Sequence, residues 1–149
     1  MKNLEQIIKE EYRKILQEQA QNRLTKTLKI RKIHGDFECD GNELTSLKGA
    51  PSSVGGHFDC SDNNLTSLES APSSVGRSFN CSFNDLTSLK DSPTSVDGNF
   101  YCDNNNLTSL EGAPSSVGDN FDCRDQKNGI EFTEEDVRKV SDVKGRILT

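Results

Sequence analysis

The sequence predicts a repeat solenoid of short parallel β-strands, with an extended, turn-rich return side and a helical cap at each end. Two observations carry the prediction. One is an uninterrupted 21-residue period. The other is an alternation inside each period that puts two apolar side chains on one face of a short strand. From Gly35 to Gly118 four copies follow one another without insertion or deletion, sharing F-x-C-x-x-N-x-L-T-S-L-x-x-x-P-x-S-V. A single coil cannot bury its inward face, so coils must stack, at the inter-strand spacing of roughly 4.8 Å.

In chain order, residues 3–20 read as an amphipathic helix, with Leu4, Ile7, Ile8, Tyr12, Ile15 and Leu16 on one stripe. We expect it to cap the first coils. Residues 22–33 (NRLTKTLKIRKI) read as a degenerate repeat, because Ile33 stands 21 residues before Val54. These parts form an N-terminal region over 1–34, and the four repeats occupy 35–118. In every repeat Phe and Cys mark the strand. Asn42, Asn63, Asn84 and Asn105 sit where the chain turns out of it, placed to satisfy backbone groups of a tight loop. The two Leu and the Val close the core, and Pro favours the extended return. Phe121 and Cys123 open a fifth copy that stops after its strand. In 119–149 the Asn128-Gly129 turn precedes Thr133-Glu134-Glu135-Asp136, an N-cap followed by acids, and predicts a short capping helix to about Val143.

The chain of 149 residues is 31% hydrophobic and carries a net charge of −6. Taken without its order, such a composition would suit a disordered chain. Charge is uneven: residues 1–34 sum to +5, residues 35–123 to −11, and residues 124–149 to zero. The acidic solenoid argues against a general nucleic-acid binder. No apolar run approaches the 18 residues of a membrane span, and the N-terminus lacks the apolar core of a secretory signal.

The run F-x-C-x-x-N-x-L-x-x-L resembles the leucine-rich-repeat signature L-x-L-x-x-N-x-L-x-x-L, with Phe and Cys in place of two leucines. The Pro before the next strand resembles the short repeats of bacterial effectors. The wording LTSL…P-S-S-V-G…F-x-C is most similar to repeat proteins encoded by bacteriophages and their hosts. The resemblance implies a leucine-rich-repeat solenoid whose strand face is a concave wall, and a binding role.

Five cysteines at the period predict a buried ladder of free thiols, hence a reducing compartment, most simply the cytoplasm. In-register Cys on parallel strands point the same way, and neither C-x-x-C nor Cys/His clustering suggests a metal. The two histidines lie in no catalytic motif, and no G-x-S-x-G, P-loop or dinucleotide fingerprint occurs. We therefore expect no enzyme, cofactor or metal. What varies between copies is the outward strand face: Glu38, Asp59, Asn80, Tyr101 and Asp122 in one column, with flanking columns holding His57, Asp103 and Arg124, and Asp62 and Phe83 one position further. Aromatics among polar residues anchor protein interfaces. The predicted partner-binding residues are Glu38, His57, Asp59, Asp62, Phe83, Tyr101, Asp103, Asp122 and Arg124. The expected activity is binding a protein, of basic surface by charge, by a chain that is monomeric when unbound, with phage-type inhibition of a host protein as the specific form. Nucleic-acid mimicry and self-assembly through open solenoid ends are the alternatives. The basic stretch Lys26, Lys29, Arg31 and Lys32 reads equally as a solvated face.

Overall fold

The fold is described from a computed structural model that places Gln17 and residues 32–149. The helix predicted over 3–20 and the degenerate repeat up to residue 31 lie outside the described residues. Each coil contributes two strands of two residues, one at S-V and one at F-x. The first set is β1 (Lys32–Ile33), β3 (Ser53–Val54), β5 (Ser74–Val75), β7 (Ser95–Val96), β9 (Ser116–Val117) and β11 (Asp142–Val143). The second is β2 (Phe37–Glu38), β4 (Phe58–Asp59), β6 (Phe79–Asn80), β8 (Phe100–Tyr101), β10 (Phe121–Asp122) and β12 (Ile147–Leu148). Each set stacks as a six-stranded parallel sheet in coil order. We call them the Val sheet and the Phe sheet.

Register follows the period, so like residues stack on like. Phe37 lies opposite Phe58, Phe58 opposite Phe79, and Ile33 opposite Val54, the pairing its spacing predicts. The Phe rings stack at centroid distances of 5.6, 5.4 and 5.8 Å with nearly parallel planes; the last pair, Phe100 and Phe121, tilts by 47°. Each ring is buried mainly against its own copies, and Cys, Leu and Val columns close the remaining walls of one continuous core. Five or six apolar residues per coil suffice because nearly all of them point inward.

Two features differ from the sequence expectation. The return side carries a strand of its own: Ser53, Ser74, Ser95 and Ser116 stand on the less buried side of the Val sheet, while Val54, Val75, Val96 and Val117 point in. A two-residue strand shows no periodicity of its own, so only stacking reveals it. The fifth copy also does not stop at its strand. Val143 pairs with Val117 and Ile147 with Phe121, so a whole further coil closes over the last repeat. It is longer than 21 residues, because the helix α1 (Glu134–Val140) stands in place of the usual L-x-x-L…P stretch.

Thr133 caps α1 in a reciprocal capping box with Asp136, whose carboxyl is held below its ordinary pKa by the Thr133 hydrogen bonds. Glu134, Glu135 and Asp136 fill the first turn and Arg138 and Lys139 the last, both favourable to the helix dipole. Val137 is the helix residue fully inserted in the core. The helix ends at Val140 rather than near Val143, because Val143 is needed in the Val column. Among the described residues, no helix is long and apolar enough to cross a membrane.

Candidate functional site

Which outward side chains are available to a partner depends on which ones the stack already uses. Three hydrogen-bond ladders run along the solenoid. The first is the amide ladder at the turn out of the Phe sheet. Asn84 accepts from the Leu65 backbone N–H at 2.9 Å and donates to the carbonyls of Cys60, Cys81 and Ser82. Asn63 and Asn105 repeat this pattern. Gln126 takes the fifth place, accepting from Leu107 and donating to Cys102, Cys123 and Arg124. A search for Asn alone overlooks Gln126, although it stands 21 residues after Asn105.

The second ladder is the cysteine column. Cys60, Cys81 and Cys102 donate their thiols to the carbonyls of Asn80, Tyr101 and Asp122 in the next coil. All five cysteines are buried, and none forms a disulfide. Burial pushes the thiols of Cys60, Cys81 and Cys102 far up, and that of Cys123 up to about 12, with neighbouring carboxylates adding to the effect. They are protonated packing groups, not nucleophiles.

The third ladder occupies the column before each Phe. Asp36 Oδ1 accepts from the backbone N–H of His57 at 2.8 Å, and His57 Nδ1 from that of Ser78 at 3.3 Å. Ser78 Oγ accepts from Asn99, Asn99 Oδ1 from Asn120, and Asn120 Oδ1 from Arg146. The identities vary, but every member is an acceptor for the coil above. Variation read from sequence as recognition is here a constant chemical task, which places His57 in the scaffold. Ser78 meets His57 through its backbone, while its hydroxyl accepts twice from Asn99, so the two do not form a nucleophile–base pair.

The central column follows a related rule. Asp59, Asn80 and Asp122 each accept from the backbone N–H two residues on, at Ser61, Ser82 and Arg124. Asp122 is also gripped by the Arg124 guanidinium through two contacts of 3.0 and 2.7 Å, and is only 5% exposed. That contact raises the Arg124 pKa. Two predicted contact residues thus satisfy each other. Asp103 likewise accepts from the Ser82 hydroxyl and the Asn104 amide. Glu38 is exposed on the first described coil.

Two residues break the chemistry of their columns. Tyr101 stands between Asn80 and Asp122 in register, where a phenol supplies no comparable acceptor. Partial burial, and then the Asp122, Asp119 and Asp103 charges, raise its pKa. Phe83 belongs to a turn column in which Gly41, Asp62, Asn104 and Asp125 share its left-handed backbone. It is 53% exposed, the most exposed large apolar side chain described. The two residues lie on neighbouring coils, where the Phe83 N–H donates to the Asp103 carbonyl.

Lys127 is a further residue that the sequence reading did not single out. Its ammonium reaches back across two coils to the Asn84 carbonyl at 2.6 Å and to Asp85 at 3.0 Å. A shallow cleft of about 220 Å³, lined by His57, Arg77, Ser78, Asp97, Asn99 and Asp119 among others, follows the corner between the sheets. No group of three or more His, Cys, Asp or Glu residues placed to hold a metal ion occurs among the described residues. The chain matches no protein-family profile, no curated protein and no solved structure.

Proposed function

We propose that the protein is a non-catalytic binding module that engages another protein through the outward face and turn edge of the Phe sheet. The observation that carries this reading is the pair Phe83 and Tyr101, two aromatics on adjacent coils that do nothing the stack requires. Aromatics on a rigid polar surface are the usual anchors of an interface, and a face held by ladders loses little entropy on binding. The exposed Asp62, on a repeat segment whose charge sums to −11, leaves the surface acidic and suited to a basic partner.

The repeat wording supports a leucine-rich-repeat type and, through its likeness to phage-encoded repeats, steric inhibition of a host or defence protein. The protonated thiol ladder is consistent with a reducing compartment such as the cytoplasm. Mimicry of nucleic-acid phosphates is the weaker reading, because Asp59, Asp103 and Asp122 are already engaged by neighbouring donors. The test is affinity capture from the native cell's lysate with the wild-type chain and with a Phe83→Ala, Tyr101→Ala double variant. A protein retained by the first and lost by the second is expected; equal recovery on both would overturn the reading.

A further inference from the structure

We propose that Phe83 is the plug of the interface and that the partner protein receives it in an apolar pocket rimmed by Lys and Arg. This rests on the binding-module reading above and makes it specific.

The turn column at Phe83 holds φ angles of 61° at Gly41, 52° at Asp62, 53° at Phe83, 54° at Asn104 and 53° at Asp125. Gly, Asn and Asp accept this left-handed conformation at little cost, whereas for a bulky side chain it is an outlier. The stack dictates the conformation. Phe83 donates its N–H to Asp103 O at 3.1 Å, and its carbonyl accepts from Asn63 N at 3.3 Å. The fold therefore prefers Asn at this position and leaves more than half of the Phe surface in solvent. A residue kept against local preference, exposed, and pinned by backbone hydrogen bonds on both sides is a preorganised anchor.

The surroundings indicate what receives it. Asp62, exposed, stands next to Phe83 in the same column, and Asp125, also exposed, stands two coils away on the other side, beyond Asn104. The nearby cation Lys127 is already engaged by Asn84 O and Asp85, so its charge is partly compensated. A ring that needs an apolar cavity, with one carboxylate beside it and another further along its column, fits a pocket with a basic rim. An anionic membrane or nucleic acid would meet a solenoid segment of charge −11, and a lone ring offers a bilayer too little apolar surface.

The experiment uses the full chain in four forms: wild type, Phe83→Asn, the Asp62→Asn, Asp125→Asn double variant, and Tyr101→Ala. Each captures proteins from the native lysate; the protein enriched by wild type is then purified and its affinity for each form titrated at two salt concentrations. Support consists of an affinity loss of at least tenfold with Phe83→Asn, a smaller loss with the double variant, weakening by salt, and a higher urea midpoint for Phe83→Asn than for wild type. Unchanged affinity with Phe83→Asn overturns the plug. A loss that ignores both carboxylates and salt overturns the basic rim, and an unchanged or lower urea midpoint overturns the claim that Phe is held against the fold's preference. A partner that depends on Tyr101 and not on Phe83 sinks this inference while leaving the binding-module reading standing; one that depends on neither sinks both.

Discussion

Asn84 is a side chain whose four hydrogen bonds all go to buried backbone groups of two coils. Asn84→Ala leaves the buried Leu65 N–H without a partner and removes one of two donors from each of the Cys60, Cys81 and Ser82 carbonyls, which keep Asn63, Asn105 and the Asp62 N–H. It is expected to destabilise by about 2–3 kcal/mol, read as a lower urea midpoint. Asn84→Asp keeps the acceptor but loses the donor, so it should not rescue. The thiols behave differently. Their folded pKa values lie above the unfolded value of about 8.5, and for Cys123 the folded value is about 12. Above about pH 8.5 the unfolded chain binds fewer protons than the fold. The contribution is thus complete below that pH and is lost as pH rises toward the folded values, at about 1.4 kcal/mol per pH unit for each such thiol. Denaturant titrations between pH 8 and 11 should show this decline, and native thiols at pH 8 should react with a thiol reagent far more slowly than in urea.

At the scale of the element, the tightest constraint is the three-residue corner between a Val strand and the following Phe strand. Every described coil has at least one Gly there, in Gly35, Gly55 with Gly56, Gly76, Gly98, Gly118 and Gly145. A Cβ on Gly118 would meet the Asp97 carbonyl oxygen at 2.0 Å, a backbone atom that cannot swing away. Gly118→Ala is therefore expected to force the coils apart locally, with a loss of about 2–3 kcal/mol and a lower thermal midpoint. The same change at the open turn Gly129, where a Cβ meets nothing nearby, carries only the cost of its positive φ. An equal loss at both sites would show that coil contact is not the cause.

For the whole molecule, stability is a sum of contacts between neighbouring coils, since each residue meets mainly its own copies one coil away. Phe79, stacked on both sides and fully buried, should cost about 3–5 kcal/mol as Phe79→Ala. Phe37, half-buried and stacked on one side among the described residues, should cost clearly less by the same unfolding assay. Equal losses would mean a core that is not linear. The last described rung carries Asp142, Lys144 and Arg146, all exposed, and a charged edge of this kind discourages addition of another strand. Light scattering is accordingly expected to report a monomer in the absence of a partner.

The 21-residue period determined the stacking, the inward Phe, Cys, Leu and Val columns and the Asn ladder, because a repeat with one apolar face can bury it only against its own copies. The same period places Ile33 on Val54. It does not reveal a coil of altered length, so the closing coil stayed hidden until Val143 and Ile147 were seen in register with Val117 and Phe121. Nor does it separate outward residues by task. His57, Asp122 and Arg124 vary as recognition residues do, yet each is held within the scaffold by a hydrogen bond or ion pair. A strand pattern says only that a side chain faces out. Whether a neighbouring coil already needs its acceptor is set by contacts across the stack, and those left Phe83 and Tyr101 as the pair without such a task.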